Sequence, residues 1–188
     1  DRRVLVLEAG PVYRRDTVPA SVRELSARLS PDHDWAHEAE SAGRRLPYTR
    51  GRLAGGSSAI NATMAFRPVP ADVDAWGVPG WGWEDLLPHF VAIEHDLDVV
   101  APWHGTDGPV PIVRHRVDEL TSTQQWFDER CRALGHDRVD DHNDPRTTGG
   151  VGPIPMNRRG RERVSAADAW LYPALDRPNL EVLGGLEV

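Results

Sequence analysis

Between Tyr48 and Pro68 the chain reads YTRGRLAGGSSAINATMAFRP, a run that sets Gly51, Gly55, Gly56, Ser57, Ser58 and Asn61 behind Arg50 and Arg52. Glycine reaches backbone conformations closed to other residues and has no Cβ to hold a ligand away, and the hydroxyls and amides that follow can donate to oxygen-rich groups. The run therefore suits close backbone approach, and an anion is the natural occupant. SSAINATMAF predicts the start of a helix with Ser57 or Ser58 as N-cap, aiming free N–H groups and a positive dipole end at that ligand. The run is neither a Walker loop, since no Gly-Lys-Ser/Thr follows, nor the dinucleotide G-x-G-x-x-G. Two other readings stand beside the ligand loop. Gly55-Gly56-Ser57-Ser58-Ala59 nearly matches the nucleophile elbow of a serine hydrolase, with Ser57 as nucleophile, although that motif needs a buried apolar strand before it and Arg50, Gly51 and Arg52 stand there. The other is a glycine-rich surface turn with no ligand.

The length of 188 residues and 39% hydrophobic content suit one medium domain or part of a larger one. With 22 basic and 29 acidic residues the net charge is −7, which disfavours nucleic acid or an anionic membrane as partner and leaves the arginines to act locally. Cys131 is the single cysteine, so no intrachain disulfide and no cysteine-based zinc site is expected, and a reducing, cytoplasmic compartment fits. No run approaches the roughly 20 apolar residues of a membrane span. The chain opens on Asp1 with no signal-peptide pattern.

Val4 to Leu7 is a short run apolar on both faces, the pattern of a strand buried in a parallel sheet, and Glu8 stands at its end. In doubly wound dinucleotide folds a carboxylate at the end of the second strand binds the adenosine ribose, about 20 residues after the glycine fingerprint. An ordinary strand ending in a solvated acid reads the same. Residues 12–50 are irregular apart from a helix near Ala20 to Leu29, and Asp32, His33, Asp34 and His37 are read as a solvated turn in preference to a metal site. Helices are expected over Ala71 to Trp76, Trp83 to Glu94, Asp118 to Leu134 and Ser165 to Leu171, with Trp76, Trp81 and Trp83 as packing anchors. Strands are expected over Val110 to Val113, within Gly149 to Met156 and over Leu180 to Leu183, with Leu186 to Val188 beginning another. His104 is read as a turn histidine bonding backbone, and Asp140 to Asp144 as a loop that lacks the central glycine and terminal glutamate of an EF-hand.

These pieces occur in one order: VLVLEAG, GRLAGGSSAIN followed by AFRP, DVDAW, PGWGWEDLLPHF, HGTDGPV, GRERVSAADAWLYP and RPNLEVL. The order resembles the glucose-methanol-choline family of FAD-dependent oxidoreductases across essentially the whole chain, with Ala54 the one departure in the central motif. The resemblance implies a partial FAD-binding, Rossmann-like α/β domain with an inserted mixed α+β cap on the substrate side. The expected division is 1–68 and 161–188 for the FAD-binding part and 69–160 for the insertion.

By resemblance, Glu8 would hold the ribose hydroxyls. Arg52, Leu53, Gly55, Gly56, Ser57 and Ser58 would form the loop on pyrophosphate and flavin. Asn61, Ala62, Thr63 and Met64 would pass beside the isoalloxazine and offer N–H groups, and the Val188 backbone would meet adenine. Ile60 occupies the place where some relatives attach the flavin to a histidine, so dissociable FAD is expected. The implied reaction is oxidation of a small alcohol at CH–OH with hydride passing to the flavin, the electron acceptor being left open. The family's glycine fingerprint and active-site histidine are expected beyond the two ends, so the chain by itself holds no catalytic residue and is expected not to turn over. The serine hydrolase and a non-functional remnant remain as alternatives.

Overall fold

Val4–Glu8 forms strand β1, and its neighbour is the last strand of the chain, Leu180–Gly184, in parallel register from Val4 against Leu180 to Glu8 against Gly184. A computed structural model describes residues 2–25, 31–147 and 149–188. The chain divides into two compact units, Asp1–Thr63 with Arg158–Val188, and Met64–Asn157. The architecture is mixed α/β, and the described residues contain four two-stranded sheets.

In the first unit the parallel pair is extended at both ends. Val4 N–H donates to Asn179 O, Gly185 N–H to Gly10 O and Leu186 N–H to Glu8 O. The strand is parallel as its apolar run predicts, but it is not buried, for Leu5 is 56% exposed and Val4 and Leu7 are nearly half exposed. The two-stranded sheet is only partly covered and so does not bury both sides of the strand. The final strand ends at Gly184, and Leu186 to Val188 begin no further strand.

Helix α1 spans Ala20–Arg23, after which Glu24 bridges to Glu162; the rest of the helix expected to Leu29 lies, from residue 26, outside the described residues. Strands β2 (His37–Ser41) and β3 (Arg44–Tyr48) pair antiparallel around Ala42 and Gly43, both at positive φ (48° and 73°), as a two-residue hairpin turn requires. This hairpin was not expected, because its residues are nearly all polar and exposed and carry no apolar alternation. The core of the unit gathers Val22, Leu53 and Ala59, with Tyr13, Val18 and Ile60 against them.

The second unit places helix α2 (Pro70–Asp74) against α3 (Trp83–Ile93). Asp74 Oδ1 accepts from Trp83 N–H at 2.7 Å and Asp85 Oδ2 from Gly82 N–H at 3.2 Å, which satisfies orphan donors at the start of α3. Of the three tryptophans expected as anchors only Trp83 is buried, while Trp76 and Trp81 are more than half exposed. From α3 the chain enters β4 (Glu94–Asp96), parallel to β5 (Val110–Ile112). The helix expected from Asp118 begins instead at Ser122, as α4 (Ser122–Ala133), because Thr121 and Gln124 form a reciprocal capping box. Its apolar side is open, with Phe127 and Leu134 exposed. No helix among the described residues is long and apolar enough to cross a membrane.

Val73 in α2 is 1% exposed. Val73→Ala is expected to cost about 2–3 kcal/mol in the second unit, read as a lower urea midpoint at unchanged slope.

Candidate functional site

Gly10 follows the acidic end of β1, and a Cβ built there would lie 2.0 Å from the carbonyl oxygen of Arg52. The glycine-rich loop is thus laid directly against the strand exit, and Ala54 N–H donates to Pro11 O at 3.0 Å beside it. On its other side Arg52 N–H donates to His33 O and Arg50 N–H to Asp34 Oδ1, both at 2.9 Å. The Arg50 amide holds the Asp34 carboxyl below its usual range. Within the loop Gly51 meets Gly56: a Cβ on Gly51 would stand 2.3 Å from the Gly56 carbonyl oxygen.

The loop is not the start of a helix capped by serine. Gly55 lies at φ 94° and Gly56 at φ 55°, and Gly56–Ala59 is one short 3-10 turn. Ser57 and Ser58 sit inside that turn with their oxygens turned to the loop itself. Ser57 Oγ accepts from Gly51 N–H at 3.1 Å, and Ser58 Oγ donates to Gly55 O at 2.6 Å and accepts from Ala166 N–H at 2.9 Å. No strand leads into Ser57 and its partner is a backbone amide, so the elbow geometry is not formed. Leu53 is 1% exposed as a whole residue and belongs to the core. The Arg52 guanidinium lies over the Trp35 ring at 5.3 Å.

Asn61 and Ala62 are exposed, with Asn61 Oδ1 accepting from Thr63 N–H at 2.9 Å. Thr63 is fully buried at φ 61°, a strained conformation for a β-branched residue. Met64 belongs to the second unit, where it bridges to Met156. Glu8, the last residue of β1, accepts Gly10 N–H on Oε1 at 2.8 Å. Val188 is fully exposed, and the strand expected to begin over Leu186 to Val188 is not formed.

Sequence reasoning missed Arg163, which stands in a hairpin of Arg158–Arg159 with Glu162–Arg163 (β6 and β7). Its guanidinium donates to the carbonyls of Val22, Ala59 (2.7 Å) and Asn61 (2.8 Å). The only hint in the sequence was its position in GRERVSAAD, and its partners are up to 141 residues away.

The second unit holds a different cluster. Glu94, Asp96 and His104 are buried and bring potential metal-ligating atoms within 4.8 Å of one another. Those atoms are already engaged. His104 Nδ1 lies 2.6 Å from Glu94 Oε1 and 3.2 Å from Asp96 Oδ2, and its Nε2 lies 2.9 Å from Asp141 Oδ2. Arg114 bonds both oxygens of Asp96 at 2.9 Å and Asp141 Oδ1 at 2.8 Å, while Arg67 reaches Glu94 Oε1 at 2.5 Å. Three carboxylates against two guanidinium groups and an imidazolium balance without any ion, which marks a structural knot. His104 therefore bonds carboxylates, not backbone as expected, since its partners come from β4 and from the loop at 141. Burial works against its charge but is outweighed by hydrogen bonds to Asp141 and Glu94 and by the nearby Asp96, which push its pKa up to about 9. Asp141, opposed by burial but bonded by His104, Trp103 and Arg114, is held well below the usual carboxylate range.

A His pKa raised from 6.5 in the unfolded chain to about 9 in the fold contributes stability that is complete below 6.5 and lost as pH rises through 9. The second unit is expected to lose up to about 3 kcal/mol across that window, read as a urea midpoint that falls between pH 6.5 and 9 and loses this step in His104→Gln.

Three comparisons bear on the chain as a whole. The family model described as GMC oxidoreductase matches residues 17–188. Pyridoxine 4-oxidase from Microbacterium luteolum is 35% identical over 98% of this chain and 38% of its own length, and a chloroplastic fatty acid photodecarboxylase from Chlamydomonas reinhardtii is 34% identical over 98% of this chain and 31% of its own. The crystal structure of a pyridoxine 4-oxidase from Mesorbium loti superposes with a TM-score of 0.85 at 37% identity, covering 98% of this chain and 38% of that one. The chain thus spans about a third of the length of the relatives it matches, from 31% to 38%.

Proposed function

The chain belongs to the GMC oxidoreductase family, and from that premise we propose that its first unit forms part of the FAD site of an oxidoreductase acting on the CH–OH group of a small alcohol. The observation that carries this reading is the loop from Gly51 to Thr63. It is pressed onto the strand exit by glycines with no room for a Cβ, and it presents the half-buried Gly56, around which an added Cβ would meet nothing within 4 Å. That is a backbone cradle of the kind a pyrophosphate needs.

Several side chains fit the group. The Glu8 carboxylate stands at the C-terminal end of a parallel strand, where a ribose diol is held in doubly wound folds. The pair β1 and the final strand would then be part of a larger doubly wound sheet with helices over their exposed apolar faces. The backbone of Leu53, Gly55, Gly56 and Ser57 would hold the pyrophosphate, with Arg52 and Ser58 shaping the loop, and Asn61 to Met64 would lie along the flavin ring. Val188 would contribute its backbone to adenine. Bound FAD would supply the hydride acceptor for alcohol oxidation. The chain's own residues bind and orient it, and none of them is proposed as the general base. Pyridoxine, an alcohol named for two of the relatives, defines the class of substrate to try first. With Ile60 preceding Asn61, no histidine stands at that position to bond the flavin, so the cofactor is proposed to be dissociable.

In the whole protein, FAD titration followed by flavin fluorescence should saturate. Glu8→Ala should weaken binding about 10- to 100-fold through loss of hydrogen bonds to a charged group. Acid precipitation should release the flavin to the supernatant. A protein that binds no FAD would end the reading, and flavin retained in the pellet would end its non-covalent part.

A further inference from the structure

Resting on the FAD reading above, we infer that Arg163 is a positioning residue for the flavin: it fixes the Asn61–Ala62 peptide so that the Ala62 N–H is presented to the cofactor as a hydrogen-bond donor. The argument starts from peptide geometry. Among the described residues no peptide bond is cis, so the Asn61 C=O and the Ala62 N–H point in opposite directions across one plane. The carbonyl is bonded by Arg163 Nη2 at 2.8 Å, which turns the N–H away from the guanidinium. Asn61 and Ala62 are both exposed, and among the described residues Ala62 N–H has no protein partner. An unpaired amide held in one direction on the surface of a ligand loop is a donor waiting for an acceptor.

The same side chain holds more than one peptide. Arg163 Nη1 donates to Ala59 O at 2.7 Å and to Val22 O, so the guanidinium fork gathers α1, the 3-10 turn and the Asn61 peptide onto one cation. Two further contacts from the same segment brace the loop. Ala166 N–H donates to Ser58 Oγ at 2.9 Å, and a Cβ on Gly55 would stand 3.1 Å from Ala167 Cβ. Burial works against the Arg163 charge and Asp168 favours it, yet its guanidinium is hydrogen-bonded to the three backbone carbonyls of Val22, Ala59 and Asn61. A cation bonded to the Asn61 carbonyl polarises that peptide and strengthens its N–H as a donor, because hydrogen bonds in a chain reinforce one another. Lysine is not equivalent, since a single ammonium cannot reproduce the planar fork across three carbonyls.

The test uses the whole protein with Arg163→Met, Arg163→Lys and, as a neighbouring control, Glu162→Gln, which breaks only the half-exposed pair with Arg23 at 3.2 Å. Arg163→Met is expected to raise the FAD dissociation constant about 10- to 100-fold, to shift the flavin midpoint potential to more negative values and to speed amide exchange of Ile60 and Thr63 about tenfold or more. Arg163→Lys should fall between this and wild type, and Glu162→Gln should match wild type. Unchanged affinity, potential and exchange in Arg163→Met would overturn the inference, and weaker binding with an unchanged potential would overturn the donor role. If the methionine variant does not fold, the lysine variant decides by the same three readouts. If the wild type binds no FAD, the cofactor reading fails on its own; faster Ile60 and Thr63 exchange in the variant would still show the clamp, and unchanged exchange would remove it.

Discussion

Two backbone segments touch in the first unit because Gly10 and Gly51 carry no side chain, and the rest of that unit depends on this approach. At 2.0 Å and 2.3 Å from backbone carbonyl oxygens, an added Cβ could not be absorbed by a rotamer change, since the obstructing atoms are main chain. The strand exit must therefore meet the loop in one arrangement. From it follow the burial of Leu53 against Val22 and Ala59 and the open space left around Gly56. The glycines are thus a packing requirement as much as a ligand requirement, which is why the glycine-rich turn and the ligand loop cannot be told apart from composition alone.

The second unit solves the opposite problem, keeping charge inside instead of bringing backbone together. Glu94, Asp96, His104 and Arg114 are all at most 6% exposed. Such a group of ions is tolerable only when every charge is paired and bonded, for desolvation of one unpaired ion costs several kcal/mol. The bidentate Arg114 fork and the doubly bonded imidazole meet that condition, and they tie β4 to the strand exit at 114 and to the loop at 141. Stability in such a knot lies in completeness, so each partner is worth more present with the others than alone.

Much of this was legible in the sequence where the signal is local. The Val4 to Leu7 run read as a parallel strand and the Leu180 to Leu183 run as a strand, and the acid at position 8 stood out because the run before it is apolar. The order of motifs was enough for the family, and the family matches. Reading failed where the deciding partner is distant or polar. The serines at 57 and 58 look like helix caps, but left-handed Gly55 and Gly56 curl the chain so that their oxygens are spent on the loop. His104 was misplaced because its carboxylates lie 10 and 37 residues away. The hairpin from His37 to Tyr48 went unseen because a strand pair exposed on both faces has no apolar period to read.

Thr63 shows what the loop sacrifices for its shape. A β-branched residue at φ 61° costs on the order of 1–3 kcal/mol, and nothing in its own chemistry favours that conformation. The surroundings impose it: Asn61 Oδ1 takes the Thr63 amide at 2.9 Å, the Thr63 hydroxyl donates to Ala62 O at 2.7 Å, and the residue is fully buried. Arg163 holds the peptide two residues earlier. Strain maintained by this many independent contacts is present before any ligand arrives. A loop ordered in advance gives up less conformational entropy on binding, and its donors need not be reoriented when charge develops near them. The energy stored at Thr63 is then the cost of preorganisation, borne in folding so that it is not borne again in binding.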